Sequence, residues 1–547
     1  MARYAIGIDF GTLSGRAVLA DIETGKVLGS RSLEYPHAVM DRQLPTGEKL
    51  GNDWALQHPQ DYLDVLDTVL PPLTSMVNPD DIIGIGIDMT SSTNIPVDKD
   101  GVPLCFKPEW EHNPYAYVMM WKHHGCQEQA NRLTEAAIAR NEEWLPYYGD
   151  KINVEWFFPK LLQIFEEAPD VYEAMDKYID GGEWIVWQLC GKHCRSTGHI
   201  GCKHLFFNGS WPSEDYFAAV NPAFRNVVRD KVHGDYAQLS SRVGFVQPSA
   251  AKRWGLSEKT AVAVAIMDAQ AGAPASGLHK PGEFLAIIGT STVHLGIGKA
   301  LVKVPGICGS VKDGILPGYV SYEAGQTAVG DIFAWMQRSC VSGDIEAEAK
   351  RQGKHVQVYL TELAEKLRPG QSGLLALDWW NGNRSILTDS DLTGMIMGMT
   401  LVTRPEEIYR ALIEATAYGT RMVVETFREN GVPVDRFLAC GGISQKNAMA
   451  MQIYADVLNM PIHIVNASEG PALGSAIYGT VAAGPENGGY ATMEEAMDHM
   501  ACPVSKVYEP IPENAAIYEK LFAEYRILHD YFGRGENDVM KRLKALR

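Results

Sequence analysis

Two stretches of this chain repeat one device, and that repetition limits the folds open to it. Tyr4 to Leu19, YAIGIDFGTLSGRAVL, reads as an apolar strand ending in Asp9, a turn through Gly11, Thr12, Leu13 and Ser14, and a returning strand. Glu283 to Gly298, EFLAIIGTSTVHLGIG, reads as a strand, a turn through Gly289, Thr290, Ser291 and Thr292, and a second strand. Small and branched apolar residues in these runs fit buried strands, and glycine at the bend lets backbone come close to a ligand. A carboxylate beside a hydroxyl-rich glycine turn suits a metal-bound phosphate. Asp9 would hold Mg²⁺ through water, while Thr12, Ser14 and backbone N–H groups donate to phosphate oxygens. An ordinary hairpin, its aspartate merely closing the turn, accounts for either stretch alone. Found near the starts of two halves of comparable size, the pair is what two related domains facing one triphosphate would carry. No Gly-Lys pair is followed by Ser or Thr, and no GxGxxG leads from a strand into a helix, so the P-loop and the dinucleotide fingerprint are set aside.

A chain of 547 residues exceeds one ordinary core, which implies two large domains or three smaller ones. With 46% hydrophobic and 21% charged residues it is globular in composition. The net charge of -18 argues against nucleic acid or an acidic membrane as the main partner. A polyphosphate remains compatible when its pocket is built from N–H groups and a metal. Nine cysteines spread through the chain form no disulfide framework, and neither a signal core nor a run of ~20 apolar residues is present, so a reduced, cytoplasmic protein is expected. Cys190, His193, Cys194, His199, Cys202 and His204 crowd together without the spacing of a paired zinc site. Buried thiols on a strand and loop are the expected reading there.

Other strands also end in polar groups. Ile82 to Asp88 is a buried strand followed by Met89, Thr90, Ser91, Ser92 and Thr93, a natural place for a ligand, with a plain polar turn as the alternative. Thr260 to Asp268, TAVAVAIMD, reads as a strand ending on an aspartate ahead of small residues that start a helix. Asp268 there would stay ionised and accept a proton from a substrate hydroxyl, or simply cap the helix. Lys160 in FFPKLL reads as a snorkelling surface lysine, residues 115–180 as mainly helical with an aromatic core, and Trp184 to Cys190 as helix or strand. Lys203, between Cys202 and His204, makes sense if it points into a cleft. Arg436 to Cys440 is a strand running into Gly441 and Gly442 and a helix near Lys446, where a base or ribose could lie on backbone. Pro471 to Ala483, PALGSAIYGTVAA, is a helix with small residues on several faces, made for close packing.

Taken together, IGIDFGTLSGRA, YPHAVMD followed by DWALQHPQDYL, MDAQAGA, DWWNGNRS, and the C-terminal set Gly394, Ile396, Gly398, Met399, Glu407, Ile408, Ala411 and Glu414 resemble the FGGY carbohydrate kinases of the actin, hexokinase and Hsp70 superfamily. The resemblance runs over nearly the whole chain. It implies an α/β protein of two ribonuclease-H-like domains, 1–269 and 270–547, with ATP and sugar in the cleft between them. By likeness, Gly11, Thr12 and Ser14 form the first phosphate turn and Gly289, Thr290 and Thr292 the second. Asp9 falls on the Mg²⁺-linked carboxylate, Gly441, Gly442, Ser444 and Asn447 on the adenosine contacts, and Asp268 on the catalytic base. Sugar contacts fall on Ser91, Ser92, Thr93, Lys203 and Glu323. The family loop P-x-x-x-G-E-R-x-P is replaced here by Trp379 to Ser385, whose contacts stay unassigned. The implied reaction is transfer of the γ-phosphoryl group of ATP to the 5-hydroxyl of L-ribulose, with a homodimer implied as well. The alternatives are another kinase of the family acting on xylulose or a polyol, and a nucleotide-driven binding module of the actin or Hsp70 kind.

Overall fold

The computed structural model describes residues 2–546 and arranges them around two sheets with one plan. In the first, β1 (Tyr4–Phe10), β2 (Ser14–Asp21) and β3 (Val27–Glu34) make an antiparallel meander. A helix, α1 (Pro59–Thr74), covers β2 and β3, and β4 (Ile82–Met89) then adds parallel to β1. Beyond β4 lies β5 (Ala261–Ala263), with Arg242–Phe245 antiparallel at its outer edge, so the central order is β5-β4-β1-β2-β3. The residues between β4 and β5 build an inserted module of short strands and helices around aromatic side chains such as Trp156, Phe157, Phe158 and Tyr178, as its sequence suggests. Two of its helices matter below: α2 (Phe157–Glu167) and α3 (Thr197–Lys203).

The stretch expected as one strand up to Asp268 is interrupted. β5 ends at Ala263, Val264 turns its N–H to Ser241 O, and only Ile266 and Met267 pair again with β4, opposite Asp88 and Met89. Asp268 is therefore the first residue of a helix, α4 (Asp268–Ala275). The boundary expected at 269/270 falls inside it.

The second sheet repeats the first. β6 (Gly282–Ile288), β7 (Thr292–Gly298) and β8 (Val320–Gln326) form the meander, and the long helix α5 (Pro405–Glu429) packs against β8. β9 (Val434–Cys440) and β10 (Ile462–Val465) follow in parallel, giving β8-β7-β6-β9-β10 at the centre of the sheet.

The halves exchange helices. α6 (Gly470–Ala483), late in the chain, lies on β1 and β4 of the first sheet, and α4 shares a buried cluster with Leu285, Leu295 and Leu438 of the second. The small residues of α6 make this possible, and so do glycines opposite it: a Cβ on Gly7 would sit 1.7 Å from Ala472 O, and one on Gly86 1.9 Å from Ser475 O. Side chains at those positions would force backbone apart, so the sequence keeps them bare.

Two local readings resolve differently from expectation or where expectation left a choice. Gly181–Cys190 is a helix, started by a capping box between Asp180 and Glu183. Lys160 is fully buried rather than snorkelling, because α2 is enclosed on every face from Phe157 to Ile164. Its Nζ donates to the Ser92 carbonyl.

Candidate active site

The in-register pairing of β1 with β4 sets Asp9 directly beside Asp88. Burial is the main reason both carboxyls titrate high, Asp9 at about 6 and Asp88 well above the ordinary range; the charge of Asp9 raises Asp88 further, while hydrogen bonding with Asp88 holds Asp9 down. Ser475 Oγ, reaching over from α6, donates to Asp88 Oδ2 at 2.6 Å, while Asp88 Oδ1 has no partner among the described residues. Asp88 carries no role that its own stretch of sequence assigns. The signal was present, a buried strand closing on a carboxylate, yet strand order decides that it meets Asp9. Two adjacent oxygen ligands, one of them unsatisfied, fit a hard divalent cation such as Mg²⁺.

Each glycine turn is held by its own neighbours. In the first, Gly11 N donates to Ser14 O at 3.0 Å, Tyr35 OH to Gly11 O at 2.9 Å, and Trp121 Nε1 to Thr12 Oγ1 at 3.0 Å. Because Thr12 accepts from the indole, its own O–H is left to donate elsewhere. In the second, Gly289 N donates to Ser291 O at 2.9 Å, and the carbonyls of Gly289 and Thr290 take N–H groups from Gly330 and Val329. Thr290 is exposed, whereas Thr292 is buried with its hydroxyl unpaired among the described residues.

Gly441 has φ 95°, a left-handed conformation that suits glycine, and a Cβ there would lie 2.5 Å from Ile288 O; beside Gly442 there is open space. The neighbouring polar side chains are used locally. Ser444 Oγ donates to Gly441 O at 2.8 Å, and Asn447 Oδ1 caps the next helix by accepting from Ala450 N at 3.0 Å. What this region offers a ligand is backbone at Gly441 and Gly442.

Lys203 at the end of α3 and Glu323 in β8 come from opposite halves and line one cavity of about 120 Å³, together with Asn153, Trp156, Gln270 and Arg384. Asp268, two residues before Gln270, is close enough to feel both charges: burial raises its carboxyl, Lys203 pulls it down and Glu323 pushes it up. Among the described residues its Oδ1 accepts only the N–H of Ala269, at 2.7 Å. That is not a helix cap, which would take the N–H two or three residues on, so the carboxylate retains acceptor capacity. The Ser91 to Thr93 turn is buried, with Ser92 at φ 60°. Ser92 Oγ donates to Asn94 and Thr93 Oγ1 pairs with Thr90, leaving Ser91 Oγ without a partner among the described residues. Arg384 supplies what the sequence left open for its loop. Asp378 anchors the loop by accepting from Gln326 Nε2 and Tyr525 OH, each at 2.8 Å, so that Arg384 reaches the cavity.

Duplicated lobes, paired carboxyls at adjoining strand ends, and a polar inter-lobe cavity beside a third carboxyl are the layout of a two-lobed phosphotransferase. Residues 4–274 match the N-terminal domain and residues 284–483 the C-terminal domain of the FGGY family of carbohydrate kinases. The chain belongs to that family and is an ATP-dependent carbohydrate kinase. It is 51% identical over 539 residues to a ribulokinase of Bacillus licheniformis, covering 98% of each chain. With a ribulokinase of Halalkalibacterium halodurans it shares 49% over 549 residues, covering 100% of this chain and 98% of the other. Among solved structures it superposes on a gluconate kinase from Lactobacillus acidophilus with a TM-score of 0.79 at 18% identity, over 98% of this chain and 99% of that one. A ligand-bound xylulose kinase from the same organism gives 0.78 at 18% identity, over 97% and 99%. These structures support the fold, the actin and hexokinase-like pair of domains expected from sequence. Family membership sets aside the binding-module alternative.

Proposed function

We propose that this kinase transfers the γ-phosphoryl group of ATP to the 5-hydroxyl of L-ribulose, giving L-ribulose 5-phosphate and ADP. The choice of ketose rests on near-full-length identity of about half to proteins named ribulokinase. The chemistry rests on one observation: Asp268, with free acceptor capacity, adjoins a cavity whose walls come from both halves. In this reading Lys203, Glu323 and Ser91 hold the sugar's oxygens, with Ser92 and Thr93 shaping the turn, and Asp268 orients the 5-hydroxyl. The bond from the 5-oxygen to the γ-phosphorus forms, the bond to the β,γ-bridging oxygen breaks, and the hydroxyl proton passes to Asp268. Positioning matters more than basicity in so loose a transition state.

Gly11, Thr12 and Ser14 face the phosphates from one lobe and Gly289, Thr290 and Thr292 from the other, while Gly441 and Gly442, the first held by Ser444, support adenosine with Asn447 at the start of the next helix. Asp9, paired with Asp88, would hold Mg²⁺. The ion would neutralise phosphate charge. The lobes correspond to residues 1–269 and 270–547 apart from the two helices they exchange, α4 spanning the boundary and α6 returning to the first sheet. All nine cysteines are free thiols and, among the described residues, no helix is long and apolar enough to cross a membrane, which supports a cytoplasmic enzyme. A homodimer is proposed from family likeness and is checked by sedimentation.

The test is ADP release, by coupled assay, across a panel of pentuloses, hexuloses and glycerol. L-ribulose should give the highest kcat/KM. Preference for xylulose or a polyol would overturn the assignment.

A further inference from the structure

Next to the sugar cavity, and sealed from solvent, three side chains converge that the reaction does not use. Asp180 ends a short strand, Lys177–Asp180, while His199 lies in α3 and His204 immediately follows it. All three are no more than 1% exposed. His204 Nε2 lies 2.7 Å from Asp180 Oδ2, and His199 Nε2 lies 3.5 Å from Asp180 Oδ1. One ligand atom from each residue fits within a span of 4.8 Å.

Hydrogen bonding does not account for the approach. Asp180 Oδ1 accepts from Asn94 Nδ2 at 3.2 Å, but Oδ2 and both ring nitrogens of each histidine have no aligned partner among the described residues. His204 Nε2 and Asp180 Oδ2 are at contact distance yet misaligned for an N–H···O bond. A buried polar atom left unpaired costs ~1–3 kcal/mol, and a group of them calls for an explanation. Either a proton held as an imidazolium–carboxylate ion pair or a cation between the groups would satisfy them, and the poor alignment for N–H···O bonding favours the cation. Two ligands 2.0–2.2 Å from a tetrahedral ion stand about 3.4 Å apart. His199 Nε2 already has that separation from Asp180 Oδ1, whereas His204 Nε2 stands 2.7 Å from the other oxygen, Oδ2, and would move outward by several tenths of an ångström to share the ion.

We propose that Asp180, His199 and His204 form a binding site for a borderline divalent cation of the zinc class, completed by water in the fourth position. Two imidazoles with one carboxylate favour such an ion over Mg²⁺, and the hydrogen bond from Asn94 fixes the carboxylate from behind. The crowded cysteines and histidines of the sequence thus divide: His199 and His204 are ligands, the thiols are not, and the third ligand comes from outside the cluster. Lys203 stands between the two histidines in the chain, so the ion pins both flanks of a residue lining the sugar cavity. Its role is positioning and not catalysis.

The test uses the full chain without a His-tag, grown with zinc and analysed for bound metal, then stripped by chelator and titrated with Co²⁺. Expected are one zinc per chain, and one Co²⁺ with visible d–d bands and no thiolate charge-transfer band. His199→Gln and His204→Gln should each weaken Co²⁺ binding by ~10-fold or more, with Cys202→Ser unchanged. The stripped enzyme should show a raised KM for the sugar with KM for ATP kept. Wild-type protein that retains neither zinc nor Co²⁺ above background after gel filtration overturns the proposal without reference to any variant. Histidine variants that bind as wild type, or a spectrum that depends on cysteine, overturn it equally.

Discussion

Where α6 crosses α4, Gly474 is the point of closest approach, and replacing it by alanine puts two opposing effects in competition. A Cβ at Gly474 would lie 1.7 Å from Ala271 O and 2.7 Å from Ala271 C. Carbon and carbonyl oxygen ordinarily sit no closer than about 3.3 Å, so the helices must part by about 1.6 Å. There is little room to do so, because the opposite face of α6 is already seated on Gly7 and Gly86. Alanine gains ~1 kcal/mol of helix propensity over glycine. Overpacking a close-fitted site costs ~1–3 kcal/mol, and a gap of 0.5–1 Å forfeits roughly a quarter to a half of each contact along it. The loss should win, by ~1–2 kcal/mol net. Asp268 is three residues before Ala271 in α4, so it moves with the displaced helix, and a misplacement near 1 Å can cost ~100-fold in rate. Scanning calorimetry and kcat on Gly474→Ala, beside Gly343→Ala whose Cβ would meet nothing within 4 Å, measure both effects. A G474A enzyme as stable as G343A and with wild-type kcat would refute the packing argument.

Other outcomes follow from the site itself. Asp268→Asn should lower kcat by ~10²–10⁴-fold with nucleotide binding and melting temperature kept; a rate near wild type would reject Asp268 as the base. Asp9 titrates near 6 when folded against an ordinary 3.8, so the folded state holds this proton more tightly. Its contribution to stability is therefore present below 3.8 and lost as pH rises through 6, an upper cost of ~3 kcal/mol at pH 7. Asp9→Asn should be more stable than wild type at pH 7 but not at pH 3.5, while Mg²⁺-dependent turnover falls; unfolding curves at the two pH values that shift alike would contradict this. In wild type, affinity for Mg·ATP should weaken as pH drops below about 6, since a protonated ligand carboxyl releases the ion, and calorimetric titration at pH 5 and 7 checks it. Lys160→Met leaves the Ser92 carbonyl without its donor and should raise KM for the sugar roughly tenfold with KM for ATP unchanged, as initial-rate kinetics will show.

Much of the fold could be read from sequence because its signals are local. The apolar runs before Asp9 and Asp88 and before the turn at Gly289, and the small-residue face of Pro471 to Ala483, each declare strand or packed helix without outside help. What stayed hidden depends on partners distant in the chain. Asp88 acquires meaning only when β4 pairs with β1, Arg384 only when Gln326 and Tyr525 hold Asp378, and Lys160 only when α2 is enclosed on all sides. Ser444 and Asn447 show the converse. Hydroxyl and amide side chains beside a glycine turn serve a ligand or the turn equally well on paper, and here they bond to the turn and the next helix. Spacing alone likewise could not separate His199 and His204 from the cysteines among them, because Asp180 comes to them from a strand well before their helix.

The account as a whole depends on sugar and nucleotide meeting between the lobes, and a crystal structure with L-ribulose and a non-hydrolysable ATP analogue tests that directly. It should show the phosphates between the turns at Gly11 and Gly289 and the 5-hydroxyl within hydrogen-bonding distance of Asp268. A nucleotide bound elsewhere, or a ketose whose 5-hydroxyl is turned away from Asp268, would contradict it.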